Sequence, residues 1–165
     1  MHPYPHTYVA LATGEQRGPV TVDSPELPCL QTEAPPEFDG PGGVWSPETL
    51  VCASIVDCFV LTFRAVSRAA RFEWSTLECQ VEGVLEKVDA VSQFTRYKIF
   101  AKLIVPVGTD EARARELLER AERGCLIANS LRGVRELRVL VVFEAGASDR
   151  AEAPRVSPGA IGNSL

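Results

Sequence analysis

The chain predicts an α+β fold, with helices segregated from antiparallel sheet. Three observations lead there. Residues 46–71 read as one long helix, apolar nearly all the way round. Residues 74–85 and 94–107 alternate with period two, as long strands do, and residues 109–125 return to the three-and-four spacing of a second helix. Strands therefore come in runs rather than alternating singly with helices.

Taken in order, residues 2–13 alternate around Tyr8, Ala10 and Ala12 and are expected to open a sheet. Gly14 and Gly18 bracket a turn, and two short strands about a second turn at residues 23–25 complete a meander. Residues 33–43, EAPPEFDGPGG, hold too much proline, glycine and acid for regular structure. They deliver the chain to Ser46, a helix cap. Pro47 follows with its φ already suited to the first turn, and Glu48 sets negative charge at the positive end of the macrodipole. From Leu50 to Phe63 only Ser54, Asp57 and Thr62 are polar, so the helix has no solvent-facing stripe and calls for burial. Its apolar run reads as too short and too interrupted for a bilayer span, which takes roughly 20 consecutive apolar residues.

Trp74, Leu77, Cys79, Val81 and Leu85 mark the first long strand, with an irregularity expected between Trp74 and Leu77. In the second, Tyr97, Ile99, Ala101, Leu103 and Val105 share one face, while Arg96, Lys98 and Lys102 take the other. Residues 88–93 should turn between the two. Thr109 is the expected cap of the second helix, whose buried stripe is Ala114, Leu117, Leu118, Ala121 and Cys125. Residues 135–145 form a last strand. A small, polar, proline-containing tail, residues 146–165, is expected to be disordered, leaving a single domain over residues 1–145.

Composition narrows the functions available. The net charge of −5, with arginines interspersed among acids, argues against nucleic acid as a partner. The first residues lack the charged and apolar regions of a secretory signal, which points to the cytoplasm and away from a membrane. Five cysteines without a CxxC suit neither a disulfide framework nor a zinc site. The GPGG at Gly40–Gly43 lacks both the dinucleotide and the P-loop pattern. His2 and His6 stand among prolines near the chain start, a poor place for a catalytic or metal-binding pair. Most carboxylates fall in Glu/Arg surface runs; Glu48 and Asp57 are the exceptions. Cysteine chemistry remains. Cys58 lies mid-helix and Cys125 on the buried stripe of the next helix, while Cys29, Cys52 and Cys79 are expected to serve packing.

The string SPETLVCASIVDCF, Ser46 to Phe59, resembles the helix motif of the OsmC/Ohr family, the osmotically inducible and organic-hydroperoxide-resistance proteins. In that motif Pro-Glu-x-Leu is followed, ten residues after the Glu, by Cys-Phe; here these are Glu48 and Cys58–Phe59. Glu122 to Leu131, ERGCLIANSL, resembles the family's second cysteine motif at the end of its second helix. Residues 8–18 resemble its early tyrosine strand and glycine-flanked arginine, which makes Arg17 the counterpart of the active-site arginine.

The resemblance implies an OsmC-like antiparallel sheet wrapped around two buried helices in an intertwined homodimer. The long helix without a polar face asks independently for such a second copy. It also implies thiol-dependent reduction of organic hydroperoxides. Cys58, the peroxidatic thiol, needs a cation against its thiolate in an apolar wall, and Arg17 would supply it, oriented by a bidentate salt bridge from Glu48. The thiolate attacks the distal peroxide oxygen, an alcohol leaves, and the sulfenic acid condenses with Cys125 to a disulfide. No cofactor is bound; an external dithiol, in the Ohr branch a lipoylated protein, restores the thiols. Phe59 and Phe63 are the expected walls of the substrate pocket. Asp57 stands where the family commonly has a small residue, and Leu126 where a proline is common, which fits an OsmC-like branch. The alternative is a non-catalytic small-molecule-binding protein on the same scaffold, its cysteines structural. Whether Arg17 lies near Cys58 discriminates the two.

Overall fold

A computed structural model describes residues 3–145; His2 and the expected tail lie outside the described residues. Three short strands, β1 (Leu11–Thr13), β2 (Val20–Asp23) and β3 (Leu30–Thr32), form an antiparallel meander in that order. β1 is much shorter than the expected residues 2–13. Pro3 and Pro5 have no amide hydrogen to give a ladder, and pairing begins only at Leu11. The loop after β3 is not wholly irregular, since Pro36–Phe38 makes one 3-10 turn.

Helix α1 (Pro47–Ala70) begins and ends within a residue of its expected bounds. Ser46 and Thr49 close a capping box: the Thr49 amide donates to Ser46 Oγ at 3.2 Å and the Ser46 amide to Thr49 Oγ1 at 2.9 Å. Arg71 ends the helix in the left-handed region at φ 52. Two long strands follow, β4 (Thr76–Val88) and β5 (Val91–Val105), antiparallel to each other. Their turn is tighter than expected, only Asp89 and Ala90, both at positive φ as a two-residue hairpin of this twist requires. The irregularity falls at Val84/Leu85, where Thr95 is the extra residue of a bulge, and Trp74 precedes the strand.

Helix α2 (Glu111–Gly124) is capped by Asp110, not Thr109. Asp110 Oδ1 accepts from the amides of Ala112 and Arg113, while the Thr109 hydroxyl donates to the Pro106 carbonyl at 2.7 Å. A one-turn helix α3 (Leu126–Asn129), absent from the sequence reading, carries the chain on to β6 (Val134–Phe143). β6 pairs with β5 in parallel, so the second sheet is mixed, in the order β4-β5-β6, where an all-antiparallel sheet was expected. The cause is connectivity: α2 and α3 form a crossover that returns the chain to the end where β5 began.

The helices lie on one face of this sheet. Tyr97, Ile99, Ala101, Leu103 and Val105 are buried as expected, meeting Ile55, Phe59 and Phe63 of α1 and the Ala114, Leu117, Leu118 and Ala121 stripe of α2. The outer face mixes Lys98–Glu82, Lys102–Glu78 and Arg96–Glu136 ion pairs with apolar residues such as Phe100, which Arg138 covers, and the exposed Leu140. One sheet covers only one side of a helix. The burial expected all round α1 is therefore not met within the chain: only Ile55, Cys58, Phe59, Phe63 and Ser67 are buried, and Leu61 is half exposed. By length and composition α1 could also cross a bilayer, against the sequence reading, but its contacts with β4 and α2 give it a place in a protein core.

Candidate active site

Cys58 sits near the middle of α1 and Cys125 at the C-cap of α2; both are buried. Two local features bring them together. Thr62, one helical turn beyond Cys58, holds its hydroxyl 4.0 Å from the Cys58 sulfur. Gly124, the residue before Cys125, packs against the same Thr62: a Cβ there would come within 3.2 Å of Thr62 Cγ2. The absence of a side chain at Gly124 thus lets the end of α2 close onto the Cys58 turn. Sequence reading found both cysteines but neither Thr62 nor Gly124, although their positions beside the two cysteines were visible.

Burial pushes the Cys125 thiol up to about 11. Backbone hydrogen bonds from Ala128 and Ile127 restrain that rise, and the Cys58 thiol adds to it by hydrogen bond and by charge. Cys125 therefore keeps its proton at pH 7, and it lies close enough to Cys58 for the two thiols to influence each other. Cys79, half-buried on β4, is held higher still, at about 12, by burial and then by the charge of Cys125. Three thiols thus share one region of the core.

The remaining candidates lie elsewhere. Glu48 stands in the first turn of α1, ten residues before Cys58 and so about 15 Å along the helix axis. Its Oε2 is buried without a hydrogen-bond partner among the described residues, in the wall of a cavity of about 330 Å³ that Phe38, Cys52, Leu85 and Phe94 also line. Arg17 is exposed in the turn between β1 and β2 and pairs with neither Glu48 nor Cys58, so the expected Arg17–Glu48 bridge is not made within the chain. Phe59 and Phe63, expected as pocket walls, are wholly buried core residues; Phe63 stacks edge-on against Trp74 at 5.2 Å. Asp57 is exposed, turned away from the buried side of α1 that holds Cys58. Cys29, expected to pack, is exposed, while Cys52 packs against Gly83. Among the described residues no group of three or more His, Cys, Asp or Glu side chains is placed to hold a metal.

The family model for OsmC-like proteins matches residues 40–139, which include α1 and both buried cysteines. The chain belongs to the OsmC-like family. Arg17 lies outside the matched residues. Solved OsmC-like structures share the fold. An OsmC-like protein of unknown function from Vibrio cholerae superposes with a TM-score of 0.75 at 15% identity, over 82% of this chain and 100% of that one. An organic hydroperoxide resistance protein from Elizabethkingia anophelis gives 0.71 at 20% identity, over 87% and 100%. An OsmC organic hydroperoxide resistance protein from Legionella pneumophila gives 0.62 at 24% identity, over 84% and 98%. No curated protein matches the chain.

Proposed function

We propose that this OsmC-like protein is a cysteine-based peroxidase that reduces organic hydroperoxides. The observation that carries the reading is the burial of Cys58 and Cys125 side by side in one core cluster, a candidate nucleophile and a neutral thiol within each other's influence. Cys58 attacks the distal peroxide oxygen and releases the alcohol; its sulfenic acid then condenses with Cys125, releasing water and forming a disulfide. An external dithiol, a lipoylated protein being the candidate, reduces that bond in the cytoplasm; no bound cofactor takes part.

The cation comes from a second copy of the chain in this reading. Glu48 is about 15 Å from Cys58 along α1, and its buried Oε2 lacks a partner. A two-fold dimer that crosses the α1 helices would set Arg17 and Glu48 of one protomer against Cys58 of the other. It would also cover the half-exposed side of α1 and the exposed Tyr8 and Leu11 of the N-terminal segment. The competing reading, a non-catalytic binding protein with structural cysteines, draws on the exposed position of Arg17 within the chain.

Substituting Cys58→Ser should reduce turnover of an organic hydroperoxide with a dithiol to background, and Cys125→Ser should leave a trappable sulfenic acid on Cys58. Equal turnover by Cys58→Ser would end the peroxidase reading. Mixing Arg17→Ala protomers with Cys58→Ser protomers should restore part of the activity that each variant lacks, since a mixed dimer holds one intact site. No recovery after subunit exchange would remove Arg17 from the partner's site.

A further inference from the structure

Cys79 has no part in the two-thiol cycle, yet the packing of α1 on β4 brings it to the same place. Near its start α1 is fastened to β4 by Cys52, whose sulfur would lie 2.9 Å from a Cβ on Gly83. Near its end it is fastened by Phe63 against Trp74 and by the Trp74 indole N–H, which donates to Ser67 Oγ at 3.0 Å. The helix therefore runs along the strand in the opposite sense, and Cys58, midway between Cys52 and Phe63, faces the stretch midway between Gly83 and Trp74. Cys79 is in that stretch. It alternates with exposed Glu78 and Gln80, so its side chain is on the helix side of the sheet, next to Ala101, a small neighbour on β5.

We propose that Cys79 is a third redox residue, which takes over the disulfide from Cys58 by exchange at Cys125. The inference rests on the peroxidase reading. In the step, the Cys79 thiolate attacks Cys125 Sγ of the Cys58–Cys125 disulfide; the Cys79–Cys125 bond forms, the Cys58–Cys125 bond breaks, and Cys58 leaves as thiolate. Cys79 loses its proton to solvent, and no further oxidant or reductant enters. Such a bond needs the Cys79 and Cys125 Cα atoms within about 4.4–6.8 Å of each other.

Burial pushes the Cys79 thiol up to about 12. That burial makes its thiolate scarce at pH 7, so the exchange is slow and speeds up with pH. The ionisable side chains on that inner side include Cys52 and Cys58 from α1, Cys125 beyond α2 and Tyr97 on β5; α2 adds Arg115, which donates to the Val139 carbonyl on β6 at 3.1 Å and pairs with Glu111, and Glu122, which pairs with Arg135. The Glu78–Lys102 pair is on the outer face.

The test treats reduced protein with one equivalent of tert-butyl hydroperoxide, quenches with acid at intervals, alkylates, and maps disulfides by peptide mass spectrometry. Cys58–Cys125 should form first and be replaced by Cys79–Cys125, while Cys58 becomes alkylatable again without added reductant. The replacement should run about tenfold faster for each unit of pH between 7 and 9. In Cys79→Ala the Cys58–Cys125 disulfide should persist. If Cys79 stays fully alkylatable in the unsubstituted protein, or if Cys58 recovers equally in Cys79→Ala, the relay is overturned. If neither disulfide forms, the peroxidase reading itself fails and the relay falls with it.

Discussion

β5 and the strands of the N-terminal meander each pair antiparallel with a neighbour, yet every second residue of β5 from Tyr97 to Val105 is buried, while β1 is exposed along its whole length. Leu11 is 64% exposed and Ile99 only 1%. The difference is a second layer. β5 has α1 and α2 packed on its apolar face; the meander is tied to the rest by a bridge from Thr32 to Trp45 and has no helix of its own. Periodicity states which face of a strand can be buried, and burial follows only where another element arrives to cover it. The same contrast divides α1, whose sheet-facing side carries Phe59 and Phe63 and whose other side leaves Leu61 half exposed.

The largest expected effect tests the covered region. Phe59→Ala should cost about 3–5 kcal/mol by opening a cavity beneath α1. Leu11→Ala, if the meander stands uncovered, should change stability by no more than about 0.5 kcal/mol. Denaturant midpoints at a fixed protein concentration measure both. A loss for Leu11→Ala approaching that for Phe59→Ala would mean that the meander is covered in solution.

A second test places the cover. Leu61→Glu puts a charge on the open side of α1 without disturbing the side that meets β4. If a second copy packs there, sedimentation should show a dimer for the unsubstituted protein and a folded monomer for the variant. An unchanged sedimentation coefficient would move the interface elsewhere on the molecule.

The smallest effect concerns pH. Cys125 and Cys79 keep their protons in the folded chain to about 11 and about 12, against 9.0 for an ordinary thiol. Between these values the folded state binds more protons than the unfolded one. Their contribution to stability is fully present below pH 9 and is lost as pH rises toward 11 and 12. The melting temperature should therefore fall across that range, and less steeply in Cys79→Ala. Identical slopes would show that Cys79 does not titrate differently on folding.

Local features were legible in the sequence. The bounds of α1 follow from Ser46, Pro47 and the chain after Ala70; the buried face of β5 follows from alternation; the α2 stripe follows from spacing. Each depends on residues within a few positions of one another. The cap of α2 was misread by one residue, because Thr109 and Asp110 both suit the position and only the bond geometry chooses between them. Cys58 and Cys125, the two buried cysteines, were legible as members of a motif. Their meeting was expected through the resemblance alone and not from local pattern, since it depends on Gly124 fitting against Thr62, two residues joined only by the packing of α1 and α2. The parallel pairing of β6 depended likewise on the path of a crossover, and the place of Cys79 on the alignment of α1 over β4. Sequence by itself determined what each segment can bury, because caps, propensities and periodicities act over one or two turns. Tertiary structure alone decided which thiols meet, which way β6 runs and that Arg17 stands apart from Cys58 in its own chain, because those depend on contacts between residues that the sequence separates by dozens of positions.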